Sequence, residues 1–335
     1  MVPALLFVIS GLVILMAATR LTRHADTIAD ETGLGRVWIG TILLAGATSL
    51  PELATDVVAV RIGAPDLAAG DLFGSSMANM LILAILDLLP PRRGVLQRAA
   101  VDHALSASLA ITLTGLAGIF VLAGSQWGVL GVGPESVLLL AVFVAGTRVV
   151  YRHKRAEEPT APAGPSDVLG PTQRPALRSA IASFSIAAAV VLVASPVFAH
   201  SAKEIAEITG MGHAFMGTWL VGLSTSLPEV VSSVAAVRMG AFDLAVGNLF
   251  GSNAFNMTIF FAMDLAHPGG SIFGALAKDH ALSALCAIVL MALGLGAIVF
   301  RSEKRWAGIE PDSMLMIATY LGAILLLYAK AAHGS

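Results

Sequence analysis

Apolar residues fall along this chain in long unbroken blocks, separated by short polar breaks. The blocks cover residues 2–19, 37–60, 69–89, 103–123 and 128–147, then 179–199, 213–237, 245–266, 281–300 and 313–331. A helix needs roughly 20 predominantly apolar residues to cross a hydrocarbon core, so the pattern predicts ten spans. Between the fifth and sixth lies a polar, Pro-rich stretch, 150–178, whose composition resists packing and reads as a linker. The predicted fold class is an all-α polytopic membrane protein. Five helices lie in 1–149, a cytoplasmic loop in 150–178, and five more helices in 179–335. Block 2–19 has the hydrophobicity of a signal peptide, but no basic residue precedes it and further spans follow. It is expected to be the first transmembrane helix.

The two groups of spans repeat one another at a single fixed offset, the one that carries Thr48 onto Thr225. Thr48-Ser49-Leu50-Pro51-Glu52 returns as Thr225-Ser226-Leu227-Pro228-Glu229, and Leu72-Phe73-Gly74-Ser75 as Leu249-Phe250-Gly251-Ser252. Asn79-Met80 matches Asn256-Met257, and Asp102-His103-Ala104-Leu105-Ser106 matches Asp279-His280-Ala281-Leu282-Ser283. An ungapped match of this extent implies duplication. Five spans per unit is odd, so the second unit enters the membrane from the opposite side. The prediction is two inverted five-helix repeats, a construction of secondary transporters that places the site between the repeats.

The repeated stretch carries the chemistry. An intramembrane carboxylate is expensive and marks a functional site by default, and Glu52 and Glu229 hold equivalent positions. Thr48 and Ser49 share a helix face with Glu52, as Thr225 and Ser226 do with Glu229. Pro51 and Pro228 have no N–H for the carbonyls of Ala47 and Ser224, which predicts a kink with freed carbonyls lining a polar cavity. The next helix of each unit adds Ser75 with Asn79, and Ser252 with Asn256. Carboxylates, hydroxyls and carbonyls form an all-oxygen set, suited to hard cations and wrong for Zn²⁺ or Cu⁺. Two carboxylates balance one Ca²⁺ or two to three Na⁺. Gly74 and Gly251 are expected to be packing residues, while Asp87, Asp264, Asp102 and Asp279 fall near span ends and read as interfacial. His103 and His280 read as solvated or capping.

Composition agrees: 56% of residues are apolar and 13% charged, with a mean hydropathy of +0.82. The net charge of −2 points to no partner, and the single Cys286 excludes an intrachain disulfide. With the N-terminus outside, 16 of the 20 Lys and Arg fall in inside segments; Arg61, Lys203, Lys278 and Lys330 lie outside. The positive-inside rule then places both termini outside and the 150–178 loop in the cytoplasm of a prokaryotic inner or plasma membrane. An intramembrane hydrolase using Ser49 or Ser226 needs a base beside the serine, and all the histidines fall in loops or near span ends. No soluble domain is present to serve a sensor.

The paired Thr-Ser-Leu-Pro-Glu stretches, with Gly70-Asp71-x-x-Gly74-Ser75-x-x-x-Asn79 and Gly247-Asn248-x-x-Gly251-Ser252-x-x-x-Asn256, resemble the two alpha repeats of the cation/calcium exchanger superfamily, especially prokaryotic sodium/calcium exchangers. The resemblance implies two long gating helices, the first and sixth, sliding past an eight-helix core. It implies electrogenic exchange of about three Na⁺ for one Ca²⁺, with no cofactor, nucleic acid or obligate protein partner. Carried over by position, the ion ligands are Thr48, Ser49, Glu52, Ser75, Asn79, Thr225, Ser226, Glu229, Ser252 and Asn256, with the carbonyls of Ala45 and Gly222. Three positions depart from the pattern. Asn256 stands where some members carry an acid, Asp71 where Asn is usual, and Asp56 one turn after Glu52 where the second repeat has Ser233. Asp56 is expected in a hydrated vestibule, with an added ligand or proton site as the other reading. Exchange of Ca²⁺ against H⁺, or of Mg²⁺ or K⁺, is the alternative to Na⁺/Ca²⁺ exchange.

Overall fold

A computed structural model of the chain describes residues 2–88, 94–99, 102–125, 127–128, 131–157, 173–209, 225–300 and 311–333. Every long element among them is a helix: α1 (Val2–Thr32), α2 (Gly35–Thr48), α3 (Leu50–Arg61), α4 (Pro65–Leu88), α5 (His103–Ala123), α6 (Pro134–Glu157), α7 (Gln173–Thr209), α8 (Leu227–Arg238), α9 (Phe242–Ala266), α10 (His280–Phe300) and α11 (Pro311–His333). Seven are long and apolar enough to cross a membrane, and α2 with α3, bent by 42°, make an eighth. Of the ten expected spans, 213–237 falls partly outside the described residues. The block 245–266 is α9, 25 residues long, whose apolarity is broken by Asn248, Ser252, Asn253 and Asn256. The expected linker 150–178 is shorter than its composition suggests, because α6 runs on to Glu157 and α7 begins at Gln173.

Matching local signals end matching helices. After α3 the N–H of Ala64 reaches the carbonyl of Ala59 (2.9 Å) and that of Gly63 reaches Val60 (3.0 Å). After α8, Ala241 reaches Ala236 (2.9 Å) and Gly240 reaches Val237 (3.0 Å). Both are left-handed C-caps, with Gly63 at φ +80° and Gly240 at φ +77°, a conformation glycine adopts without a Cβ clash.

Helices α4 and α9 lie at the centre, α9 against α2, α4, α5 and α6 and α4 against α10 and α11. Phe73, Phe250, Phe260 and Phe273 are fully buried between them, with Phe260 4.9 Å from Phe273 and 5.8 Å from Phe73 between ring centroids. At Gly251 the backbone of α9 meets that of α2 so closely that a Cβ would overlap the Thr41 carbonyl oxygen. That stretch of α2, Ile39–Leu44, is wound as a π-helix, a bulge that accompanies functional sites. Gly74, the matching glycine, has nothing within 4 Å of such a Cβ among the described residues; Thr218, which matches Thr41, lies outside them. The tight packing expected at Gly251 is thus seen.

The longest helices, α1 and α7, run along one another, with Phe7 stacked on Phe198 at 4.4 Å. Val2, Leu5, Val8, Ile9, Leu12 and Met16 of α1 stay exposed, the apolar surface a bilayer covers.

Two of the four span-end aspartates are buried rather than solvated, while Asp279 is exposed. Asp87 and Asp264 are 2% and 1% exposed. Asp87 accepts the N–H of Leu96 (2.7 Å) and the hydroxyl of Ser313 (2.5 Å). Asp264 accepts the N–H of Ile272 (2.5 Å), that of Gly133 (2.8 Å) and the hydroxyl of Ser136. Ser136 and Ser313 are themselves related by the offset of the repeat. Each aspartate thus ties the end of a central helix to the first turn of the last helix of the other half. The histidines also cross. His103, fully buried rather than solvated, sits 3.1 Å from Asp243, and the partly exposed His280 sits 3.1 Å from Asp66.

Candidate cation site

The first half breaks a helix at a serine. Ser49 leaves helical geometry at φ −87°, ψ 6° between α2 and α3, and Ser226 does the same before α8 at φ −80°, ψ 4°. The prolines follow within the first turn of α3 and α8, where their missing N–H breaks no intrahelical bond. The kink expected from Pro51 is the 42° bend. Restarting the helix at Leu50 and Leu227 puts Glu52 and Glu229 in a first turn, where the helix dipole favours a carboxylate.

The structure gathers the predicted side chains from all four segments. Thr48, Ser49, Glu52, Ser75, Asn79, Thr225, Ser226, Glu229, Ser252 and Asn256 are each no more than 1% exposed. Contacts run between the halves. The Thr48 hydroxyl lies 3.1 Å from Asn248 Oδ1 and 3.4 Å from Ser252 Oγ. Thr225 donates to Asp71 Oδ1 at 3.3 Å, the matching contact. Ser49 and Ser252 donate to Glu229 Oε1 at 3.3 and 3.5 Å. Ser226 donates to Ser75 Oγ at 3.3 Å. The carbonyl oxygen of Ala45 lies 3.0 Å from the N–H of Ser49 and 3.1 Å from the Thr48 hydroxyl. Gly222 lies outside the described residues.

What remains unpaired is mostly acceptor. Oε2 of Glu52, Oε2 of Glu229, Oδ1 of Asn79, and both Oδ1 and Nδ2 of Asn256 are buried without a hydrogen-bond partner among the described residues. Buried polar groups are otherwise almost always paired. No three His, Cys, Asp or Glu side chains converge as a metal cluster among the described residues. The donors brought together are hydroxyl, amide and carboxylate oxygens, which favour hard cations.

Several residues join that sequence reasoning passed over. Asn253 accepts from Asn79 Nδ2 (2.8 Å) and donates to the Ser76 carbonyl (3.2 Å). This fixes the Asn79 amide with its oxygen left unpaired. Asn248 orients Thr48 and donates to Ser233 Oγ at 3.1 Å. The signal was in the quoted motifs, since Ser76 and Asn253 hold matching positions of the repeat. Asp56 is not in a hydrated vestibule. It is 1% exposed. The sequence places it one turn below Glu52 but says nothing of its burial.

Buried oxygens of both halves presented to one another mark an ion-carrying membrane protein, and comparison with known proteins gives the family. The model of the sodium/calcium exchanger protein family matches residues 2–151 and 179–329, and the chain belongs to that family. It is 28% identical to the putative antiporter CaxA of Alkalimonas amylolytica, over 98% of this chain and all of that one. It is 26% identical to the sodium/calcium exchanger MaX1 of Methanosarcina acetivorans, over 96% of this chain and 98% of the other. Among solved structures, the sodium-calcium exchanger NCX_Mj soaked with 10 mM Na⁺ and zero Ca²⁺ superposes with a TM-score of 0.74 at 22% identity, covering 97% of this chain and 98% of that one. At that identity the likeness establishes the fold.

Proposed function

We propose that this integral membrane protein exchanges Na⁺ for Ca²⁺ across its membrane by alternating access. The observation that carries the reading is the duplicated, buried oxygen site, with Glu52 and Glu229 each holding an unpaired oxygen among hydroxyls and amides of both halves. Membership in the sodium/calcium exchanger family supports it. The ligands are Thr48, Ser49, Glu52, Ser75 and Asn79 with Thr225, Ser226, Glu229, Ser252 and Asn256, and the carbonyls of Ala45 and Gly222. Both ions need the same two carboxylates, so their occupancy is mutually exclusive, which is the basis of exchange. Hydroxyls and amides surround the carboxylates, and a carried proton needs no such cage; this favours Na⁺ over H⁺ as the counter-ion.

The architecture in this reading is ten transmembrane helices in two inverted repeats, 1–149 and 179–335, joined by a cytoplasmic segment within 150–178, with both termini outside. Long, mutually packed α1 and α7 are the moving pair, and the helices around α4 and α9 the fixed core. No cofactor enters the cycle; Na⁺ and Ca²⁺ are the cargo.

The test is ⁴⁵Ca²⁺ uptake by proteoliposomes loaded with Na⁺ and diluted into Na⁺-free buffer, beside a second set carrying a pH gradient alone. The expected result is uptake that requires internal Na⁺ and responds to membrane potential. Uptake driven only by the pH gradient replaces Na⁺ by H⁺. No uptake in either set removes Ca²⁺ as the substrate.

A further inference from the structure

Asn79 is a ligand with two unlike ends. Its amide carries an acceptor oxygen and a donor nitrogen of similar size on one planar group. A hard cation binds the oxygen and is repelled by the N–H₂ end. A site that uses Asn79 therefore works only if the amide is held one way round. The residue that decides this lies on the central helix of the other half.

The contacts start from a group that cannot turn. The backbone carbonyl of Ser76, in α4, offers lone pairs and no proton. Asn253 of α9 donates to it through Nδ2 at 3.2 Å. With its nitrogen held there, Asn253 presents Oδ1 on its other side, and that oxygen accepts from Asn79 Nδ2 at 2.8 Å. The nitrogen of Asn79 is thus committed to Asn253, which leaves the oxygen for an ion. Asn253 and Ser76 are fully buried and Asn79 is 1% exposed, so bulk water does not stand in for a lost partner. Turning Asn79 alone sets two amide oxygens face to face. Turning both amides moves the clash to Asn253 Oδ1 and the Ser76 carbonyl. Either change loses a hydrogen bond where a low dielectric makes it strong.

The first half has no equivalent of Asn253. Ser76 itself holds the matching position of the repeat, and its hydroxyl donates to the Leu72 carbonyl of its own helix at 2.8 Å. The side chain that sets the polarity of Asn79 is thus an amide in one half and a self-bonded serine in the other.

We propose that Asn253 is a positioning residue for ion binding: anchored on the Ser76 carbonyl, it locks the Asn79 amide with its oxygen available to the cation. It is not itself a ligand, and its effect passes through Asn79. The inference rests on the exchanger reading, in which Asn79 holds the ion.

The experiment is equilibrium binding of ⁴⁵Ca²⁺ to the full-length protein in nanodiscs, comparing the parent, Asn253→Ser, Asn79→Ala and the double variant. Asn253→Ser copies the residue of the first half. It is expected to weaken Ca²⁺ binding roughly tenfold in the parent but less than about twofold once Asn79 is alanine, the non-additivity of two residues acting as one. Equal weakening in both backgrounds means a purely structural role and overturns the proposal, as does an affinity that Asn253→Ser leaves unchanged. If Asn253→Ser does not fold, Asn253→Ala is measured in its place. A parent that binds no Ca²⁺ rejects the exchanger reading, and the same four proteins are then compared with ²²Na⁺. The same non-additivity there supports the lock, and its absence overturns it. A parent that binds neither ion leaves Asn79 nothing to hold and overturns both ideas.

Discussion

Glu52 and Glu229 occupy matching positions in matching helices, yet their surroundings differ. Glu229 accepts hydrogen bonds from Ser49 and Ser252. The serines that match those two are Ser226 and Ser75, and they bond to each other instead, at 3.3 Å. Identical residues thus adopt two hydrogen-bonding arrangements in one structure. The difference teaches that the site's asymmetry needs no difference in residue type at these positions: rotating hydroxyls decide which carboxylate they serve. In the inverted-repeat carrier proposed above, opening to one side and then the other would amount to the halves trading these arrangements.

Three tests sharpen or break this comparison. The largest effect is expected from Glu52→Gln and Glu229→Gln, each reducing Na⁺-driven ⁴⁵Ca²⁺ uptake to below about one-hundredth of the parent while the protein stays folded, since both carboxylates are placed as ion ligands. Retention of the parental rate by either variant removes that glutamate from the site. A smaller effect, on stability, is expected at Gly251. Gly251→Ala drives a methyl into the Thr41 carbonyl and is expected to destabilise by about 3 kcal/mol, as overpacking does; an unchanged thermal melt would show that the two backbones are not in close contact. The smallest effect concerns the hydroxyls. Ser49→Ala removes a donor from Glu229 and is expected to change half-saturating Na⁺ by roughly tenfold, the scale of one hydrogen bond to a charged group. Ser226→Ala, whose hydroxyl serves Ser75, is expected to change it less; the reverse order would show that this arrangement does not persist under transport.

Much of the site was legible in the repeat. Finding Glu52 and Glu229 at one offset, each behind a Thr-Ser pair and a proline, was enough to predict that their helices break and meet, and Ser75, Asn79, Ser252 and Asn256 followed from helical spacing. What stayed hidden lies between elements. Periodicity cannot say that Thr48 faces Asn248, 200 residues away, or that Asp56 is buried. Asp87 and Asp264 misled for the same reason. A carboxylate at a span end looks interfacial until a neighbouring helix start folds over it and supplies its donors. The π-helical turn at Ile39–Leu44 left no sign in composition, because it reflects the close approach of α9.

The crossed aspartate ties set an order on biosynthesis. Ser313 follows Asp87 by 226 residues, so when the first half leaves the ribosome, the hydroxyl that completes its buried carboxylate has not been made. Asp264, in turn, finds Ser136 already waiting. The first half must hold an incomplete structure in the bilayer until the last helix arrives, a long-range closure of the kind that slows folding. Neither half is a self-sufficient unit today, however independent the ancestor of each repeat once was. Two fragments cut between α6 and α7 are therefore partners that must meet in the same membrane before either acquires its native interior.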